Sequence, residues 1–183
     1  TQTDLAQADL RSGENGDIVL ISLAGSITLN DGNSDSAVVV ADGSGSILIG
    51  AALDLRINSG VASGSGDISL GAGNSLILAR VRGSPTSGDI SLIAIAGEVT
   101  MPATATRTTT TGNLRVSAQG NATIGQLSAD AVSLLSDSGS LVSAEFSTIN
   151  VTADSLRIFA NAAIGAADRH LLTDVANLSA HST

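Results

Sequence analysis

The sequence predicts an all-β chain wound as a single-stranded parallel β-helix, a β-solenoid of about 7–8 coils with a period of roughly 20–24 residues. Three observations predict it. A five-residue unit recurs as Gly16-Asp17-Ile18-Val19-Leu20, Gly66-Asp67-Ile68-Ser69-Leu70 and Gly88-Asp89-Ile90-Ser91-Leu92: a glycine turn, then a short strand of alternating apolar and small residues. Aligning strands after such turns puts Ile18, Ile47, Ile68, Ile90, Leu114, Val132, Leu156 and Leu178 in one column, and Ile27, Leu76, Val99, Ile124, Leu141 and Ile164 in a second. Finally, apolar residues make up 43% of the 183-residue chain but aromatic residues only 1%. A large ring needs matching space in the coils above and below, so Ile, Leu, Val and Ala suit a narrow stacked interior.

Taken in order, residues 1–15 read as an incomplete first coil or an N-terminal cap, although Leu5, Ala6 and Ala8 also fit one helical turn. From Gly16 to Thr183 the repeats form one continuous domain. Ile18 and Leu20, then Ile27 and Leu29, alternate with polar or outward residues, and Asn30-Asp31-Gly32-Asn33 is a dense turn signal. Ala37–Ala41 is the next strand; Ile47 and Ile49, then Leu53, Leu55 and Ile57, follow. Leu127-Ser128-Ala129-Asp130, Val151-Thr152-Ala153-Asp154 and Leu178-Ser179-Ala180-His181 are further copies. Within each strand alternate residues point inward, so Ile68 and Leu70 fill the stack while Ser69 faces water. The glycines are expected to turn corners with φ > 0. Residues 83–88 and 101–112 break the pattern and read as loops. Pro102 marks a strand end, and the threonines after it fit an outward hydroxyl array. A β-sandwich would instead need hairpin turns between strands of matched length.

The charge balance narrows the partners. Eight arginines, no lysine and 17 acidic residues give a net charge of −9, which disfavours nucleic acid and anionic membrane. Zero cysteines exclude disulfides and zinc–thiolate sites, and fit passage through an oxidising compartment. No apolar run reaches the length of a membrane span, so membrane insertion is not expected. The opening Thr1-Gln2-Thr3-Asp4 is no signal peptide, and the chain reads as a monomeric segment of something longer.

The stretch Ala162-Ala163-Ile164-Gly165-Ala166-Ala167-Asp168-Arg169-His170-Leu171-Leu172-Thr173-Asp174-Val175-Ala176-Asn177-Leu178-Ser179-Ala180 resembles the repeats of large secreted bacterial exoproteins of the filamentous-haemagglutinin type. The Gly-Asp-Ile-x-Leu units fit the same repeats. The resemblance implies a right-handed parallel β-helix from a cell-surface adhesin exported by two-partner secretion, with a host-cell receptor, surface or glycan as partner. It carries over no functional residue.

Candidate chemistry is sparse. Asp17, Asp67 and Asp89 share one turn column, and stacked carboxylates suit calcium. The calcium-binding nonapeptide, however, separates its last glycine from aspartate by one residue, and Gly64-Ser65-Gly66-Asp67 does not. Capping of its own turn by each aspartate is the favoured reading. Arg56, Arg115 and Arg157 each sit between two inward residues and so face out. They fit a basic stripe for anionic glycans or, more simply, exposed strand residues paired with aspartates. His170 and His181 have no serine–acid partners at a recognisable spacing, and no lysine exists to complete a phosphate loop. Catalytic, cofactor and metal residues are therefore expected to be none. The threonines fall in one stretch, not once per coil, which argues against ice binding. The expected function is a non-catalytic structural or adhesive rod displaying its loops; the alternative is a carbohydrate-binding or carbohydrate-cleaving β-helix.

Overall fold

A computed structural model describes residues 5–30, 32, 37–78, 87–102, 107–145 and 148–183. They form strands and turns without a helix, and every strand pairing is parallel. Each coil contributes up to three strands, which build three faces. The first face starts at Ile18–Ser22 and runs through Ile47–Ala51, Ile68–Ala72, Ile90–Ala94, Asn113–Ala118, Gln126–Ser136 and Val151–Ala160 to Thr173–Ser182. The second runs from Leu5–Ala8 through Ile27–Asn30 and Leu55–Ile57 to Leu141–Ser143. The third begins with Leu10–Ser12, Ala37–Ala41 and Gly60–Ser63. The result is a β-solenoid of about six turns. That is slightly fewer than the seven to eight expected.

The first column stands as aligned, rung by rung, from Ile18 against Ile47 to Leu156 against Leu178. Its members up to Leu156 are buried, and with the second-face residues they make one continuous core. Leu178 lies on the last rung and is 57% exposed, since no strand covers it. The second column needs two corrections: Leu55 belongs in it, between Ile27 and Leu76. Ala122, not Ile124, is in register with Val99 and Leu141, and Ile124 sits opposite Ser143. Both Ala122 and Ile124 are fully buried, so the strand packs normally two residues out of the expected register.

In the C-terminal coils the third and first faces merge. Gln126–Ser136 and Val151–Ala160 are single long strands that turn the corner at Asp130 and Asp154. Residues 101–112 are not simply a loop: Met101 is fully buried, and Arg107–Thr109 pairs with the start of Gln126–Ser136. Thr110 is buried as well. Its Oγ1 donates to the Gly88 carbonyl and accepts from the Gly112 N–H, so it belongs to no outward array. Thr104 and Thr106, Phe146 and most of the expected loop 83–88 lie outside the described residues.

The glycine of the repeated unit has a different reason from the one expected. Among the described glycines only Gly43 and Gly165 have left-handed φ values. Gly66 and Gly88 are needed for close approach, since a Cβ at either would run into the glycine carbonyl one coil earlier. Stacked corners bring backbone against backbone there, and no side chain fits between.

Candidate functional site

The aspartates of the turn column bind backbone, and they do so across coils. Asp17 Oδ1 accepts from the Ser46 N–H at 2.8 Å, Asp67 Oδ1 from the Asp89 N–H at 2.8 Å, and Asp89 Oδ1 from the Asn113 N–H at 2.8 Å. Each carboxylate thus caps the equivalent residue of the next coil, not its own turn. A second ladder runs down the corner before the second face. Asp54 Oδ1 accepts from the Ser75 N–H, Asn121 Oδ1 from the Ser140 N–H, and Ser140 Oγ from the Ala163 N–H. These side chains serve the ends of the sheets. Among the described residues no group of three or more His, Asp or Glu is placed to hold a metal ion.

The arginines are divided. Arg56 lies on the second face, in register with Thr28 and Ile77. Arg115 and Arg157 lie on the first face, in the lane Ser69, Ser91, Arg115, Ser133, Arg157, Ser179. Strand alternation aims this lane outward, because its neighbours Leu114, Val116, Leu156 and Ile158 fill the core. Two rungs separate Arg115 from Arg157, about 9.6 Å along the axis at 4.8 Å per strand. Both are exposed, and among the described residues neither makes an ion pair with an aspartate.

Around these arginines the surface is hollowed. An open groove of about 690 Å³ runs along the axis from Ile90 to Leu178. One side is the lane just described; the other is Asp89, Asn113, Ala131, Ser155 and Asn177, whose small members Ala131 and Ser155 leave the depth. Beyond the arginines a second hollow of about 490 Å³ is bounded by Leu135 and Phe159 and shares Arg115, Ser133 and Arg157 with the first. The Phe159 ring stacks on His181 at 5.6 Å between centroids, which places that histidine at the edge of this surface. His170 is exposed and lines neither hollow. Around the corner, Asp130, Asp154 and Asp174 line a separate depression. Apart from Asp89, opposite charges are therefore segregated on the two sides of one corner.

The other half of the same face has another character. Val19 and Leu48, which precede Ser69 in the lane, are 65% and 45% exposed, with Ile21 and Leu23 exposed beside them.

Sequence reasoning placed Arg115 and Arg157 outward but grouped Arg56 with them, and it missed Phe159, Asn113, Ser155 and Asn177. Only the register of the coils collects those residues on one surface. No protein-family model, curated protein or solved structure matches the chain.

Proposed function

We propose that this chain is a non-catalytic, adhesive β-solenoid segment of a secreted bacterial surface protein of the filamentous-haemagglutinin kind. The observation that carries the reading is the axial groove of the first face. It presents serine hydroxyls, asparagine amides and two guanidinium groups in fixed register on a stiff sheet, the equipment of a binding surface. Glycoside hydrolysis uses two carboxyl groups flanking the scissile bond. Among the described residues Asp89 is the single carboxylate lining this groove, and its Oδ1 already accepts from both the backbone and the side chain of Asn113. Adhesion through this lateral face stands beside the expected display through 83–88 and 101–112, of which Met101 and Thr110 are buried. The absence of cysteine and the net charge of −9 are compatible with an extracellular life.

A glycan array combined with product analysis tests this reading. Binding without any shortened product is the expected result. Release of cleaved or unsaturated sugars would establish the carbohydrate-cleaving alternative.

A further inference from the structure

We infer that the groove of the first face takes an extended acidic polysaccharide, lying along the solenoid axis with successive anionic groups on Arg115 and Arg157. The inference rests on the adhesive reading and names its ligand class. A guanidinium fork binds a carboxylate or sulfate in bidentate fashion, and Arg115 and Arg157, which make no ion pair among the described residues, give up no partner there to do so. The two forks stand about 9.6 Å apart along the axis, close to the length of a disaccharide. A chain carrying its charges on alternate sugars of one side matches that interval. Ser133, between the forks, and Ser91 and Ser179, outside them, offer hydroxyls to the sugar between. From the opposite side Ser155 offers a hydroxyl and Asn113 and Asn177 their amides, whose Nδ2 groups also donate to Asp89 Oδ1 and the Asp154 carbonyl; Asp89 closes that wall at its far end. Phe159, stacked on His181, adds an apolar border beside Arg157.

Charge complementarity is local, which gives the site direction. The protein as a whole carries −9 and repels polyanions. Asp130, Asp154 and Asp174 line the neighbouring depression and close that side to them. A polyanion is thereby confined to the arginine lane. Nucleic acid fits this surface poorly, because its affinity draws on many phosphate contacts and the lane supplies two.

Titration calorimetry with oligogalacturonate, heparin oligosaccharide, neutral dextran and single-stranded DNA tests the inference. Binding of one or both acidic glycans is expected, the preferred probe telling carboxylate from sulfate, with none to dextran or DNA. Arg115→Ala and Arg157→Ala should each weaken it roughly tenfold, as loss of a charged hydrogen-bonding group does, while Arg56→Ala on the second face should leave it within about twofold. Moving one charge by combining Arg157→Ser with Ser179→Arg keeps net charge but widens the interval to three rungs; weaker binding is expected. Unchanged circular dichroism in each variant keeps the comparison valid, since these side chains face solvent. Equal loss with Arg56→Ala, undiminished binding by the relocated pair, equal binding of DNA, or no acidic glycan bound by the folded protein would overturn the inference. Adhesion to a neutral glycan alone would overturn it and leave the adhesive reading standing. Binding followed by cleavage would do the reverse.

Discussion

The Oδ1 of Asp67 accepts a 2.8 Å hydrogen bond from the backbone N–H of Asp89, the same position one coil later. That bond ties two coils at the edge of a sheet, where the parallel ladder has not yet begun. Asn113 occupies the equivalent place further along and receives the same contact from Asp89. From Asp17 through Ser46 and Asp67 to Asp89 each position of the column carries a short side chain whose oxygen accepts from the next coil. Asp67→Ala should lower unfolding stability by about 1 kcal/mol, and Asp67→Asn by less, because the amide oxygen still accepts. Urea denaturation of the two variants checks the order.

Glycine at the corner has an equally specific test. Gly66→Ala drives a methyl into the Gly45 carbonyl, a backbone group that cannot step aside. A loss of about 1–3 kcal/mol is expected, the usual cost of overpacking. Gly71→Ala, on the outer side of the same coil, meets its nearest neighbour only at 4.0 Å. It should be neutral or slightly stabilising, since alanine restricts the unfolded chain. Neither residue has a left-handed φ, so the contrast measures space alone.

Asn150 is almost completely buried and wholly satisfied. Its Nδ2 donates to the carbonyls of Ile124 and Gly125, and its Oδ1 accepts from the Leu172 N–H. One side chain thus joins the coil before to the coil after. Asn150→Leu leaves the Gly125 carbonyl and the Leu172 N–H without that partner, while the Ile124 carbonyl keeps the Ala144 N–H, and each buried orphan costs roughly 1–3 kcal/mol. A destabilisation of more than about 2 kcal/mol is expected by thermal or chemical melting. A loss below about half that figure would show that the bonds are replaced by water.

The core column predicts its own asymmetry. Leu114→Ala, in the middle of the column, should cost about 2–5 kcal/mol, because both neighbouring rungs hold the cavity open. Leu178→Ala, on the uncovered last rung, should cost less than about 1 kcal/mol. Melting curves of the two variants compare them directly.

The pattern of what was legible follows from the physics. The eight-member column from Ile18 to Leu178 could be read because large branched residues recur once per coil, and as far as Leu114 they follow a glycine turn directly. The second column slipped at Ile124, since the buried position is held by Ala122, a residue whose type announces nothing about burial. The third face was largely invisible: Leu10, Val39 and Val61 share register but no common turn motif. The cross-coil bonds of Asp67 and the bridging role of Asn150 are relations between residues a full coil apart. Spacing makes such pairs neighbours only after the register is known. The groove was hidden for the same reason. Leu-Arg-Ile at 55–57 and at 156–158 are identical in sequence, yet they lie on different faces.

The lane itself offers the most direct test of the account. Since the chain lacks cysteine, Ser69→Cys with Ser179→Cys gives a clean pair of sites for spin labels. The two positions are five rungs apart through Ser91, Arg115, Ser133 and Arg157. In-register stacking predicts one narrow distance distribution centred near 24 Å, widened by a few ångströms of label linker. A broad distribution, or a peak beyond about 35 Å, is incompatible with five rungs of 4.8 Å and would contradict both the solenoid register and the groove built on it.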